Sequence, residues 1–174
     1  MSGGDRPRPG GAAGVPYVGV AGASRPGAEL VGPAEVLGRR LAEAGAVVVC
    51  GGGSGVMRAV CKGVAAAGGT SVGLLPGDDR ADGNPYLGVA LTTGLGEGRN
   101  VLLVRASDAL VAVGGGFGTL SEIALALRTG VPVVGLRTWS IGLAGRQVDA
   151  FPVTDDPEEA AGMALAAAAT RIGR

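Results

Sequence analysis

Two glycine-rich segments, Gly51–Gly55 and Gly114–Gly118, each separate an apolar run from a stretch with helical spacing. Glycine permits positive φ and a close approach of backbone to a ligand. The helix that follows such a turn offers unpaired N–H groups and the positive end of its dipole, and both favour an anion. One turn of this kind is ordinary architecture. Two in one short chain point to a phosphate or another anion. The residues that would hold it are Gly52, Gly53, Ser54 and Gly55 in the first turn and Gly115, Gly116, Gly118 and Thr119 in the second. Gly22 and Ser24, further candidates, follow the first apolar run, and Ser24 and Arg25 could help line the same edge of the sheet.

Two charged residues accompany the turns. Arg99 opens a short helical stretch after Gly94–Gly98, and its forked, permanently charged guanidinium suits a phosphate or a developing negative charge. Glu122 follows Thr119 by three positions, which also reads as a helix-capping box. By helical spacing, Leu120, Ile123, Ala124 and Leu127 form the core stripe. Glu122 lies about 200° from Leu120 and shares the opposite side with Leu125 and Ala126. A carboxylate in apolar company away from the core predicts a cleft or a partner surface there.

Other chemistry is excluded or weak. No histidine is present, which removes Ser–His and Cys–His mechanisms and His-based zinc sites. Cys50 and Cys61 are too few for a disulfide framework and read as small buried apolar residues. No metal site is expected. Asp78, Asp79 and Asp82 could approach Mg²⁺, but a solvated loop is the simpler reading. Trp139 either covers a pocket or fills one. The first turn lacks the third glycine of Gly-x-Gly-x-x-Gly, no acidic residue follows at the ribose-binding distance, and no P-loop lysine is present.

The elements that must position these groups alternate. Apolar runs at Pro16–Ala21, Ala46–Cys50, Thr70–Leu75, Leu87–Thr92, Asp108–Val113 and Val131–Leu136 read as strands, with Phe151–Val153 as a short edge strand. Helices are expected over Pro33–Ala44, from Gly55 to Ala67, and over Gly98–Ala106, Gly118–Thr129 and Asp156–Arg171, the last capped by Asp156 with Pro157 at its first position. Residues 137–149 stay ambiguous. This alternation predicts an α/β fold, a single-domain Rossmann-like three-layer sandwich with a mostly parallel sheet. The 174 residues suit one domain over 15–174, and 47% hydrophobic content supports a core although aromatics make up only 3%. Residues 1–14, rich in Gly, Pro and Arg, read as a disordered tail rather than a signal peptide. Fifteen basic and fifteen acidic residues give zero net charge, and no basic aromatic patch points to nucleic acid. The longest apolar stretch is too short to span a membrane, so a cytoplasmic protein is expected.

Gly51-Gly-Gly-Ser-Gly-Val-Met57, Gly98-Arg-Asn100 and Gly114-Gly-Gly-Phe-Gly-Thr-Leu-Ser-Glu122 together resemble the Lonely Guy (LOG) family over about Val15–Leu165, nearest the LOG-like branch that includes molybdenum-cofactor carrier proteins. The resemblance implies hydrolysis of the N-glycosidic bond of a nucleoside 5′-monophosphate to free base and ribose 5-phosphate, with Arg99 and Glu122 as the catalytic pair and no cofactor required. The family signature has proline where this chain has Gly114 and lysine where it has Asn100. The alternative implied by the nearer branch is a non-catalytic nucleotide binder or carrier with the molybdenum cofactor as cargo. The resemblance also implies a homodimer or higher homo-oligomer with the site near the subunit contact.

Overall fold

Val-, Leu- and Ala-rich runs of four to six residues form the centre of the molecule because the sheet they build is covered on both faces. The computed structural model describes residues 14–173; the expected tail falls almost wholly outside them. In chain order the elements are β1 (Tyr17–Gly22), α1 (Ala28–Glu43), β2 (Val47–Cys50), α2 (Val56–Ala66), β3 (Thr70–Leu75), β4 (Val89–Thr92), α3 (Arg99–Arg105), β5 (Ala109–Val113), α4 (Phe117–Thr129), β6 (Val133–Leu136), β7 (Ile141–Leu143), β8 (Arg146–Val148), β9 (Val153–Thr154) and α5 (Pro157–Ile172).

Seven strands form one sheet in the order β4-β3-β2-β1-β5-β6-β9, and every pairing is parallel. Side chains alternate between its faces. Val18, Val48, Val111 and Val113 pack with α1, α2 and α5, while Val49, Leu110 and Ala112 pack with α3 and α4. The result is the three-layer Rossmann-like α/β sandwich that the alternation implies. The chain runs outward from β1 to β4, then returns to place β5 on the other side of β1. That reversal is the topological switch point, where diverging loops leave a crevice at the carboxyl ends of the strands.

Three local expectations need correction. α1 begins five residues before Pro33, which therefore sits inside the helix rather than at its start. A proline there cannot donate to the carbonyl four residues earlier. That carbonyl, on Glu29, instead accepts from Arg137 Nη1 at 3.4 Å, so the missing bond is made from outside the helix. The ambiguous stretch contains an antiparallel hairpin, β7–β8, turned by Ala144 and Gly145, both at positive φ, as two-residue hairpin turns favour. The third correction concerns α4. Its buried residues are Thr119, Glu122, Ile123 and Ala126, whereas Ala124 is exposed and Leu120 and Leu127 are only half-buried. Apolar residues surround this helix on most sides, so the wheel did not define one face. Packing against α3 and the sheet selects the face that carries Glu122.

Candidate functional site

The loop after β1 and the turn after β5 diverge at the switch point and border a cleft of about 500 Å³. Its walls include Gly22, Ser24 and Arg25 on one side, Gly115, Gly116, Gly118 and Thr119 on the other, and Arg99 with Glu122. Nine of the residues singled out in the sequence are thus brought together. The size suits a small organic ligand.

α4 starts at Phe117, with Gly116 as an N-cap that supplies no side-chain bond. The capping-box reading of Thr119 and Glu122 is therefore wrong: both lie inside the helix, and Thr119 is buried. The first-turn N–H groups of an uncapped helix have no intrahelical acceptor, and here they border the cleft. Gly114 adopts φ +64° and its N–H donates to the Leu136 carbonyl at 3.1 Å. Proline can do neither, so the departure from the LOG signature at this position is built into the backbone of the turn.

Glu122 is 5% exposed. Its Oε1 lies 3.6 Å from Nη1 of Arg99, an ion pair without a hydrogen bond. That Arg99 nitrogen is itself buried without a hydrogen-bond partner among the described residues. Burial pushes the Glu122 carboxyl up from the ordinary 4.5 to about 7, against the opposing pull of Arg99. The group thus stands near the midpoint between acid and base at neutral pH. Asn100 serves a different purpose from a charged side chain. Its Nδ2 donates to Ser121 Oγ at 3.1 Å, and Ser121 Oγ donates to the Gly118 carbonyl at 2.8 Å. This chain of bonds ties α3 to the first turn of α4.

Gly52, Gly53, Ser54 and Gly55 are not among the cleft-lining residues. They buttress it. Ser54 Oγ donates to the Ser24 carbonyl at 3.0 Å, and a Cβ at Gly55 would overlap the Ala23 and Ser24 carbonyls. Gly52 takes φ +72°, accepts two hydrogen bonds from Asn84 and donates to Cys50 Sγ at 3.3 Å. Cys50 and Cys61 are buried and free, with their sulfurs 3.6 Å apart. The Cys50 thiol hydrogen-bonds to Cys61, which holds Cys61 down to about 7 and Cys50 up. Gly51 acts through Arg99, a role that spacing did not show. A Cβ there would overlap the guanidinium nitrogens of Arg99, so the bare backbone is the seat on which Arg99 rests.

Phe117, within the second glycine turn, also borders the cleft. Met57, Pro76 and Glu97 complete much of the lining; Met57 ends the first motif and Glu97 lies in the Gly94–Gly98 stretch, but neither residue's type marks it as a site residue. The aspartates behave as a loop: Asp79 caps a short turn by accepting from Ala81 N at 2.8 Å. Among the described residues, no three His, Cys, Asp or Glu side chains cluster as a metal site would require. No helix among them is long and apolar enough to cross a membrane.

The chain matches the SLOG cluster4 family over residues 15–168. It belongs to that family. The LOG-like assignment, with its molybdenum-cofactor branch, agrees with the solved structures it resembles. A molybdenum cofactor binding protein from Rippkaea orientalis superposes with a TM-score of 0.80 at 30% identity, over 89% of this chain and 98% of that one. The molybdenum cofactor carrier protein of Chlamydomonas reinhardtii gives 0.77 at 33% identity, over 87% and 97%. A probable cytokinin riboside 5′-monophosphate phosphoribohydrolase of Oryza sativa subsp. japonica is 39% identical over 90 residues, half of this chain and 37% of the rice protein.

Proposed function

We propose that the cleft binds a nucleoside 5′-monophosphate and hydrolyses its N-glycosidic bond, releasing the free base and ribose 5-phosphate. The observation that carries this reading is Glu122, a buried carboxyl with a pKa of about 7 and no hydrogen bond to its cationic neighbour. It lies in the same cleft as the uncapped start of α4. The free N–H groups of α4 hold the 5′-phosphate and so fix the sugar. Cleavage of the C1′–N bond builds positive charge on the ribose, which ionised Glu122 stabilises. The same carboxylate orients the attacking water and accepts its proton. The bonding pair leaves with the base, which takes up a proton. Arg99 holds the phosphate or the departing base. No bound cofactor is needed for these steps.

A second reading is supported by the likeness to molybdenum cofactor binding and carrier proteins at about one-third identity. Here the same cleft holds a pterin phosphate as cargo and releases it unchanged. One experiment separates the two. Purified protein is incubated with a panel of nucleoside monophosphates and free base is measured by chromatography. Hydrolysis predicts base release, reduced about 10²–10⁴-fold in Glu122→Gln with nucleotide binding largely kept. Full turnover by Glu122→Gln, or no base from any substrate with wild type, overturns the enzymatic reading. Tight binding of molybdopterin without base release supports the carrier.

A further inference from the structure

Phe117 opens α4 at the border of the cleft, and it is 85% exposed. An aromatic ring left almost wholly in water forgoes the burial that normally stabilises it. The chain has only two phenylalanines, two tyrosines and one tryptophan, so aromatic surface is scarce and its placement carries information. The one tryptophan stands beside this ring: the centroids of Phe117 and Trp139 are 6.0 Å apart with planes inclined at 34°. Trp139 is half-buried and packs against the core on the α4 side. Its indole lies over Gly115, where a Cβ would come within 3.2 Å of Nε1. Trp139 thus braces Phe117 from the core side and leaves the rest of the ring to the solvent of the cleft.

We infer that Phe117, braced by Trp139, is a stacking platform for the planar heteroaromatic part of the ligand, and so selects a nucleobase- or pterin-like ring over a bare sugar phosphate. This rests on the phosphate-binding reading of the cleft, but not on catalysis. Gly116 and Gly118 flank Phe117 and leave the backbone open to the anion, while the side chain between them is the largest apolar group in the turn. One helix start therefore offers two chemistries side by side: N–H donors for phosphate, and a ring face for the base. Stacking tolerates many ring systems because every base has a π face, so the platform sets the ligand class and leaves the individual base to other contacts.

The test compares binding of AMP and ribose 5-phosphate by calorimetry for wild type, Phe117→Ala and Phe117→Tyr. The expected result is about tenfold weaker AMP binding in Phe117→Ala, near-normal binding in Phe117→Tyr, and unchanged ribose 5-phosphate binding in both. Fluorescence gives an independent readout, since Trp139 is the sole tryptophan: AMP should alter its emission and ribose 5-phosphate should leave it unchanged. Equal weakening of both ligands in Phe117→Ala, or of neither, overturns the platform while leaving the phosphate-binding reading intact. If the variant changes sedimentation and affects both ligands alike, the ring belongs to a contact with a second copy and the platform is wrong. Failure of wild type to bind either ligand overturns the phosphate-binding reading and the platform with it.

Discussion

Glu122 is subject to two opposed influences, burial that favours its neutral form and Arg99 that favours its charged form, and burial prevails. This has a consequence for stability as well as for reactivity. The folded chain holds the proton up to about pH 7, the unfolded chain only to about 4.5. The stabilising contribution of the protonated carboxyl is therefore complete below pH 4.5 and is lost as pH rises through 7. Glu122→Gln keeps an uncharged side chain throughout. Its unfolding free energy, measured with urea, should improve relative to wild type between pH 4.5 and 8 by on the order of 2–3 kcal/mol. A pH-independent difference would show that the carboxyl is not perturbed. At this scale the sequence was informative about identity and less so about orientation. Arg99 and Glu122 could be singled out from residue type and motif. That they face each other could not, because Leu120, Ile123, Ala124, Leu125, Ala126 and Leu127 surround Glu122 on its helix, and burial of one side over another is a tertiary outcome.

At the scale of elements, two glycines show how a single methyl group can act in different ways. At Gly51 an added Cβ meets the flexible end of Arg99; at Gly63, in α2, it meets the Glu35 carbonyl of α1, which is backbone. A guanidinium can swing aside, but two packed helices must separate. Gly51→Ala should therefore leave the urea midpoint close to that of wild type while greatly reducing ligand binding or turnover. Gly63→Ala should lose about 1–3 kcal/mol of stability and still bind ligand where folded. Equal effects on stability would contradict this division. The first glycine turn was legible as a functional turn, yet its contribution is indirect: Gly51 seats Arg99, and Ser54 and Gly55 support the loop at Ala23–Ser24. Such support roles leave no local pattern, since the partner lies elsewhere in the chain. The start of α1 was hidden for a related reason. Proline prefers the first helical turn, and the Glu29 carbonyl that Pro33 leaves without a helical donor is met by Arg137, more than one hundred positions away.

For the whole molecule, the alternation of short apolar runs and helical stretches was enough to give the layers and the sense of the sheet. The buried strands are too apolar to face water on either side, which leaves few other arrangements. What the sequence withheld was where apolar surface remains outside. Val101 and Leu102 of α3 are about half exposed, and Leu95 just before it is more so. We expect this face to be the contact of a homodimer. Val101→Asp should shift sedimentation from dimer toward monomer at micromolar concentration; an unchanged monomer in both proteins would argue that α3 faces solvent.

The switch point also has a history within each molecule's folding. The two walls of the cleft come together only when β1 pairs with β5. Tyr17 and Asp108, 91 positions apart, then exchange bonds: the Tyr17 N–H donates to the Asp108 carboxylate and the Asp108 N–H to the Tyr17 carbonyl. Closing so long a loop carries an entropic cost that local hairpins avoid. β1 through β4 can assemble in order along the chain, but no ligand pocket exists until the later half arrives. Competence to bind therefore depends on both halves of the chain, since the residues before β5 lack the wall that carries Gly115, Gly116, Gly118, Thr119 and Glu122.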